Sequence, residues 1–235
     1  MTEFGQPHRH YAECGSTNDL AREWASEGAD PAPSGALVTA GFQTRGRGQR
    51  GHQWQAQAGQ SALMSFVYRL PPDADAGQLG LVTALAAAEA LVSLGFRPQL
   101  KWPNDLLLDG RKVGGILVEV AAGVAVLGIG INVGQTAFQG AADFAYPPTS
   151  LRLVAGQEQP VSSVIDAVAQ CLGYWEERWR QGGFLLILAR CRAILAVGAA
   201  VRQGDAAGVL TDLSERGAAQ VQLADGTFAE WTTVN

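Results

Sequence analysis

Two stretches of this 235-residue chain concentrate side chains that could bind an anion. Residues 43–54 read Q-T-R-G-R-G-Q-R-G-H-Q-W, with three arginines, three glycines and no carboxylate. Only two of the 17 basic residues are lysines, and these two, Lys101 and Lys112, fall within twelve residues of each other. Backbone N–H groups, guanidinium groups and compact ammonium groups all bind phosphate or carboxylate oxygens. The pattern predicts an anion site; the alternatives are a solvated loop and a chance pairing of lysines.

The basic loop, residues 43–54, matches none of the common nucleotide-binding motifs in full. Residues 46–51, G-R-G-Q-R-G, have the G-x-G-x-x-G spacing of a dinucleotide fingerprint, but the residues that follow lack the apolar period of a helix. The chain also lacks the V-A-I-K strand that accompanies a kinase glycine loop and the G-x-x-x-x-G-K-[ST] motif of a P-loop. The loop is therefore predicted to wrap anionic oxygens without belonging to one of these classes.

Glycines within predicted strands indicate a second surface that a ligand could approach. Along residues 124–133, four apolar side chains alternate with Gly128, Gly130 and Asn132, so the glycines share one face of the strand. Two more glycines, including Gly115, follow Lys112 on the neighbouring predicted strand. Glycine weakens a strand interior, and a cluster there indicates the close approach of a ligand or of another part of the chain. We expect a flat ligand platform; tight packing of a helix on the sheet is the alternative.

The surrounding elements must position these groups. Periodicity and turn residues predict strands near 36–42, 61–70, 106–108, 112–120 and 124–133, and helices near 78–95, 161–180 and 183–196. Ser16 is the predicted N-cap of a helix that ends near Glu27, and Asp109-Gly110 is a predicted hairpin turn. After Val197, short strands between turns predict a small β-barrel or meander. We expect an α+β chain with two domains, residues 1–195 and 196–235.

Composition argues against several classes of protein. The chain is 47% hydrophobic and 17% charged with a net charge of −5, which favours a globular protein and gives no general electrostatic footprint for nucleic acid. Charged residues and glycines interrupt the longest apolar stretches, around 81–96 and 113–133, so no membrane span is predicted. Three widely separated cysteines and the absence of a zinc-like spacing indicate reduced thiols, and we expect a cytoplasmic location.

Six short motifs follow one another along the chain: S-T-N (16–18), the basic loop (43–54), K-W-P-N-D (101–105), G-R-K-V-G-G-I-L-V-E (110–119), G-I-G-I-N (128–132) and P-T-S-L (148–151). Together they resemble those of biotin protein ligases, also called biotin–[acetyl-CoA-carboxylase] ligases. The resemblance implies a mixed, largely antiparallel sheet with helices, the class II synthetase-like fold of biotin and lipoate ligases, followed by a small SH3-like β-barrel. About ten residues precede the part of the chain that resembles the catalytic core, so we expect the ligase-only form without an N-terminal DNA-binding domain.

The resemblance also implies an activity. Enzymes of this kind join biotin to the α-phosphate of ATP, supplied with Mg²⁺, to give biotinyl-5′-AMP, and then pass biotin to a lysine of a biotin carboxyl carrier protein, the carrier subunit of acetyl-CoA carboxylase. Both small substrates are anions, so cations and N–H dipoles must be placed in advance to bring them together. The basic loop is expected to close over the adenylate as a lid. No DNA or membrane partner is expected, and a sheet-edge homodimer is left open.

Residue roles come from the positions that match the family motifs. Lys112 and Arg47 are the expected catalytic residues. The expected contacts to biotin come from Ser16, Thr17, Asn18, Gln43, Arg47, Gly48, Gln49, Lys112 and Gly115. The expected contacts to the nucleotide come from Gly46, Arg47, Gly48, Arg50, Lys101, Trp102, Asn104 and Asn132. Asp105 is the candidate ligand of Mg²⁺, and one of Phe138, Phe144 and Tyr146 is expected to cover the adenine ring.

Two positions depart from the family pattern. Gln49 stands where an arginine is usual, and His52 also replaces a frequent arginine. A hydrogen bond to a charged donor is about twice as strong as a neutral one, so Gln49 predicts weaker retention of the adenylate unless Arg45 or Arg50 compensates. Equal rates of adenylate release from the native chain and a Gln49→Arg variant would contradict this hypothesis.

Three other functions remain open at this point. A lipoate or octanoate ligase would share the fold and the acyl-transfer chemistry, although the S-T-N, G-R-G and K-W-P-N-D motifs favour biotin. A non-catalytic biotin-binding regulator is less consistent with an intact Lys112. Nucleic-acid binding by the arginines would show a steep dependence of affinity on salt.

Overall fold

The computed structural model describes residues 3–138 and 146–232, apart from the side chain of Arg50. Its main sheet contains seven strands: β1 (His8–Tyr11), β2 (Leu37–Ala40), β3 (Ser61–Arg69), β4 (Gln99–Lys101), β5 (Asp105–Leu108), β6 (Arg111–Ala121) and β7 (Val124–Asn132). They lie in the order β1-β2-β3-β7-β6-β5-β4. The β1–β2 pair is parallel and the other pairs are antiparallel. The predicted mixed, largely antiparallel sheet is confirmed.

Five α-helices surround this sheet in the described part of the chain: α1 (Thr17–Ala25), α2 (Leu79–Ser93), α3 (Leu151–Ala155), α4 (Val161–Arg180) and α5 (Phe184–Ala193). Helix α2 is apolar on nearly every side because it lies in the core, where it packs against α4, α5 and the sheet. Residues 76–93 have the length and the mean hydropathy, 1.4, of a membrane-crossing helix, yet 61% of this segment is buried inside the protein. Core helices commonly combine these properties.

The two faces of the sheet have different partners. On β3, Met64, Phe66 and Tyr68 belong to the large core beneath α2 and α4. The alternate residue Val67 belongs to a smaller core beneath α1. Period-two alternation therefore sends neighbouring residues of one strand to opposite sides, and the α1 side of the sheet carries the functional cavity described below.

The β5–β6 hairpin has the predicted turn. Asp109 and Gly110 adopt φ values of 50° and 71°. Two consecutive positive φ values are typical of a type I′ turn, which matches the twist of antiparallel strands. The turn returns the chain so that Lys112 lies on β6 beside β5, which begins at Asp105.

The C-terminal residues form a second, four-stranded antiparallel sheet. Its strands β8 (Ala200–Gln203), β9 (Ala206–Leu213), β10 (Ala219–Leu223) and β11 (Phe228–Trp231) pair in sequence order. A hydrogen bond of 2.9 Å from the Gln203 amide to the Thr232 carbonyl brings the two ends of this meander together.

The small sheet shares its core with the rest of the protein. Its inward side chains Val201, Leu210 and Val221 belong to the same buried cluster as α2 and β3. Trp102, just after β4, donates its indole N–H to the Gly217 carbonyl at 3.2 Å. The division into domains 1–195 and 196–235 therefore stays a prediction, since one continuous core crosses that boundary.

The start of α1 has the predicted N-cap residue but not a capping hydrogen bond from its side chain. Ser16 occupies the N-cap position with extended backbone, but its hydroxyl makes no capping hydrogen bond. The Thr17 N–H at the first turn is bonded instead by the side-chain oxygen of Gln43, at 2.7 Å. Ser16 is therefore the N-cap by position, as predicted, although its hydroxyl makes no capping hydrogen bond and the first N–H of the helix is bonded by a residue of the basic loop. The helix also ends at Ala25 rather than near Glu27.

Candidate active site

Strand register brings the chemistry-bearing residues into one row across the sheet. Leu63 of β3 pairs with Gly130 of β7, Gly130 pairs with Gly115 of β6, and Gly115 pairs with Asp105 of β5. Asp105 in turn pairs with Lys101 at the end of β4. Directly paired residues project to the same side of a sheet. The two central residues of this row are glycines and add no side chain to its surface, and charged groups stand at one end.

A cavity of about 470 Å³ lies over this row. Such a volume is in the range of sites for small molecules and cofactors. The sequence-predicted residues that line it are Ser16, Thr17, Asn18, Gln43, Arg47, Gly48, Gln49, Lys101, Trp102, Asn104, Asp105, Lys112, Gly115 and Asn132. Residues far apart in the chain, such as Ser16, Arg47 and Lys112, therefore meet in one place.

Two predicted site residues, Gly46 and Arg50, are not among the described residues that line the cavity. Gly46 does not line the cavity in the described structure; a Cβ atom there would lie 2.7 Å from the Trp54 carbonyl oxygen. Its glycine is needed for this close approach within the basic loop. The side chain of Arg50 lies outside the described structure, so its predicted contact to the nucleotide stays a prediction.

Both lysines converge on one carboxylate at the charged end of the cavity. The Lys112 ammonium lies 2.5 Å from one oxygen of Asp105, and the Lys101 ammonium lies 3.4 Å from the other oxygen. The side chains of Asp105 and Lys101 are each 14% exposed and that of Lys112 is 31% exposed, so the carboxylate is largely withdrawn from solvent. The backbone of Lys112 is fixed as well, because its N–H donates to Pro147 at 2.9 Å and its carbonyl accepts from Thr149 at 2.8 Å.

This geometry bears on the prediction that Asp105 binds Mg²⁺. Each carboxylate oxygen already faces an ammonium group, which makes Asp105 a counter-ion that orients the two lysines. No cluster of three or more His, Cys, Asp or Glu side chains suited to a metal occurs among the residues that the structure describes. These residues alone do not fit a resident divalent cation, and contact of Asp105 with a Mg²⁺ shared with phosphates stays a prediction.

The opposite end of the cavity is polar and nearly closed to solvent. Gln43 accepts from the backbone N–H and the hydroxyl of Thr17, at 2.7 and 3.1 Å. The Ser65 hydroxyl lies 2.7 Å from the Thr17 oxygen and 2.5 Å from the Asn18 amide oxygen. Ser16, Thr17 and Asn18 are each exposed by 4% or less. This cluster offers both donors and acceptors to a small polar group.

The glycine face of β7 is covered by side chains of the protein itself, which corrects the expectation of a flat platform. Gly128 lies beneath the amide of Asn18, and a Cβ atom there would overlap that group. A Cβ atom on Gly130 would lie 2.7 Å from the indole of Trp54. The glycines therefore create space for Asn18 and Trp54, which in turn form walls of the cavity.

Trp54 is a site residue that the sequence analysis left without a role. Its indole lies over Gly130 and Gly115, and the Lys112 ammonium is 6.0 Å from the ring centroid. Its buried indole nitrogen has no hydrogen-bond partner among the residues that the structure describes. Trp54 is the last residue of the basic-loop motif, and this position in the motif could have indicated a role in the site. Among the proposed adenine-covering residues, Phe138 and Tyr146 line the cavity and Phe144 lies outside the described residues.

The guanidinium of Arg47 is engaged by carboxylates. It lies 2.8 Å from Asp19 and 3.2 Å from Glu119, next to the polar end of the cavity. The hydrogen bond from Arg47 holds the pKa of Asp19 below its ordinary value, and the charges of Arg47 and Arg22 act in the same direction. The structure thus brings Arg47 to the cavity wall but pairs it with side chains of the protein.

Three other predicted residues have structural contacts in addition to lining the cavity. The Asn104 amide donates to the Ile116 carbonyl at 2.8 Å, which joins the start of β5 to β6. The Asn132 amide donates to the Thr149 carbonyl at 3.0 Å. Trp102 is 4% exposed. These contacts hold residues 103–105 and 148–150 beside the charged end of the cavity.

Two further residues of the site were missed. Ser65 pairs with Gly128 on the cavity side of β3, and period-two alternation along residues 61–69 could have revealed it. Arg202 lines the cavity from β8 of the C-terminal sheet. Nothing in its local sequence indicates a site, because its position depends on how the small sheet packs.

The family of the protein follows from comparison of its sequence with known families. Residues 14–135 match the model of the biotin/lipoate A/B protein ligase family, and the chain belongs to this family. The chain is 34% identical to the bifunctional ligase/repressor BirA of Bacillus subtilis over 184 residues, 75% of this chain and 55% of that protein. It is 34% identical to biotin–[acetyl-CoA-carboxylase] ligase of Paracoccus denitrificans over 183 residues, 74% of each.

Solved structures give the same assignment. The biotin protein ligase of Aquifex aeolicus, solved in complex with biotin and ATP, superposes with a TM-score of 0.84 at 26% identity over 97% of this chain and 96% of that one. The chain spans about half the length of the first curated relatives that it matches. The predicted fold class and family resemblance are confirmed.

Proposed function

We propose that this protein is an ATP-dependent biotin ligase, which activates biotin as biotinyl-5′-AMP and transfers it to a lysine of a biotin carboxyl carrier protein. The observation that carries the proposal is a single cavity with a buried hydrogen-bonding cluster at one end and two ammonium groups at the other. A molecule with a polar head and an anionic tail would span these ends. The relatives named for biotin ligation support the same activity.

The polar end suits the ureido ring of biotin. That ring carries two N–H donors and one carbonyl acceptor, and Thr17, Asn18, Gln43 and Ser65 provide complementary groups. Lipoate carries a dithiolane at this position and would leave these buried groups without partners. Sites built to hydrogen-bond a substrate reject analogues that lack the partner by about 10⁴-fold or more. The cluster therefore favours biotin over lipoate or octanoate.

In the first step, a carboxylate oxygen of biotin attacks the α-phosphorus of ATP. A new P–O bond forms, the bond to the β-phosphate breaks, and pyrophosphate leaves with the electron pair. Lys112 would lie beside both the biotin carboxylate and the α-phosphate, where its charge reduces their repulsion and stabilises the transition state. Asp105 would orient this ammonium and that of Lys101.

ATP, with Mg²⁺ as part of the substrate, would occupy the charged end. Lys101, Asn104, Asn132 and the loop residues Gly48 and Gln49 line this cavity and are the proposed contacts to the nucleotide. Arg202 adds a guanidinium from the C-terminal sheet. Tyr146, whose ring centroid lies 5.0 Å from the Lys101 ammonium, is a proposed neighbour of the adenine ring, together with Trp54.

In the second step, the amine of the carrier lysine attacks the acyl carbon of the adenylate. An amide bond forms, the acyl–phosphate bond breaks, AMP leaves with the electron pair, and the amine loses a proton. Between the two steps, the loop 43–54 would exclude water from the cavity. Water would otherwise hydrolyse the adenylate before the carrier lysine reacts with it.

The proposal is tested by incubating the protein with ATP, Mg²⁺, labelled biotin and a biotin-accepting carrier domain. We expect one biotin per carrier, found by mass spectrometry on the acceptor lysine, and no transfer to a matched carrier with that lysine replaced by arginine. Failure to label the intact carrier, with a known biotin ligase active in the same assay, would contradict the proposed function.

A further inference from the structure

Four charged side chains form a closed ring beside the polar end of the cavity. Arg47 contacts Asp19 at 2.8 Å and Glu119 at 3.2 Å. Arg22 contacts the same two carboxylates, at 3.2 Å to Asp19 and 2.9 Å to Glu119. Cations and anions therefore alternate around this charge ring, defined here as Asp19, Arg22, Arg47 and Glu119.

The charge ring joins three separate parts of the chain. Asp19 and Arg22 belong to α1, Glu119 belongs to β6, and Arg47 belongs to the basic loop. The loop carries Trp54 and Gln43, both of which line the cavity. Anchoring of Arg47 to two secondary-structure elements therefore fixes part of the cavity wall.

Glu119 also connects the charge ring to the proposed biotin contact. The Asn18 amide donates to the same Glu119 oxygen at 2.7 Å, and its carbonyl oxygen accepts from Ser65. The Glu119 carboxylate thus orients both Asn18, which is proposed to bind the ureido ring of biotin, and Arg47 of the basic loop.

We infer that Asp19 and Glu119 are positioning residues that hold the basic loop closed over the biotin end of the cavity by binding Arg47. This inference rests on the proposed function and goes beyond it, because it gives Arg47 a role in closure rather than in direct contact with the reacting anions. Retention of the adenylate then depends on residues that do not touch it.

The geometry sets the expected size of the effect. The four side chains are between 30% and 41% exposed, so each ion pair is partly screened by water and salt. Exposed pairs are individually weak, and loss of the two contacts of Glu119 should accelerate loop opening by about three- to tenfold. Added salt should weaken the native ring in the same way.

The test uses Glu119→Gln, which keeps the shape and an acceptor for Asn18 but removes the charge. After one round of adenylate formation, the rate of biotinyl-AMP release is measured at low and high salt. We expect release from Glu119→Gln to be three- to tenfold faster at low salt and nearly independent of salt, whereas release from the native protein accelerates with salt. Asp19→Asn should behave like Glu119→Gln.

A matched control comes from an ion pair outside the cavity. Glu27 lies 2.8 Å from Arg9 with similar exposure, so Glu27→Gln should release the adenylate at the native rate. Release from Glu119→Gln at the native rate with native salt dependence would overturn the inference. Slower release would also overturn it, because that result would mean that a freed Arg47 binds the adenylate directly.

Limited trypsin digestion separates this inference from the proposed function. The basic loop contains three arginines, and cleavage there needs no substrate. We expect faster cleavage of the loop in Glu119→Gln than in the native protein or in Glu27→Gln, even if the native protein forms no adenylate. Equal cleavage of the loop in all three proteins would count against closure by the charge ring.

Discussion

Replacement of Lys112 by methionine is expected to reduce the rate of biotinyl-AMP formation by about 10²- to 10³-fold. Methionine keeps an unbranched side chain of similar length but removes the only ammonium placed 2.5 Å from Asp105 in the described structure. The two anionic substrates would then meet without the charge that offsets their repulsion. Biotin-dependent exchange of labelled pyrophosphate into ATP measures this step directly.

Two variants make the Lys112 result specific. Arg97 is an exposed cation that does not line the cavity, and Arg97→Met should exchange pyrophosphate at the native rate. Lys112→Arg should remain strongly impaired, because a planar guanidinium does not fit where a compact ammonium bonds one carboxylate oxygen. Near-native exchange by a folded Lys112→Met protein would remove this residue from the mechanism.

Replacement of Gly130 by alanine is expected to weaken biotin binding by about 10²-fold while the protein stays folded. A Cβ atom there would lie 2.7 Å from Cε2 and 2.9 Å from Cζ2 of Trp54, so the indole must move away from the sheet. Trp54 lines the cavity next to Lys112, and its displacement alters the space in which biotin and ATP meet. Isothermal titration with biotin measures the loss.

The control for Gly130 is a glycine with free space around it. Gly28 is exposed, and an added Cβ atom would meet no atom within 4 Å. Gly28→Ala should therefore bind biotin like the native protein. Unchanged affinity in Gly130→Ala would show that the position of Trp54 does not shape the biotin site.

Much of the site could be predicted from local patterns. The alternation of glycines along β7 correctly placed Gly128 and Gly130 on the cavity side, and Asp109-Gly110 correctly fixed the hairpin before Lys112. Local sequence determines these features because strand alternation and turn geometry depend on neighbouring residues. The fold class was implied by the resemblance of the six motifs to those of biotin protein ligases.

What covers the glycines could not be predicted in the same way. Asn18 lies over Gly128 and Trp54 lies over Gly130, although each pair is far apart in the sequence. The pairing of Arg47 with Glu119 and the arrival of Arg202 from the small sheet depend likewise on tertiary packing. Charge pattern identified the basic loop as cationic, but only the fold shows which carboxylates it meets.

The proposed function requires that one cavity activates biotin by joining it to AMP. The most direct measurement is the exchange of labelled pyrophosphate into ATP by the purified protein with biotin, with lipoate or with neither. We expect exchange with biotin and at least about 10⁴-fold less with lipoate, because lipoate cannot satisfy the buried cluster around Thr17 and Asn18. Exchange that is equal with both acids, or absent with biotin, would contradict the proposed function.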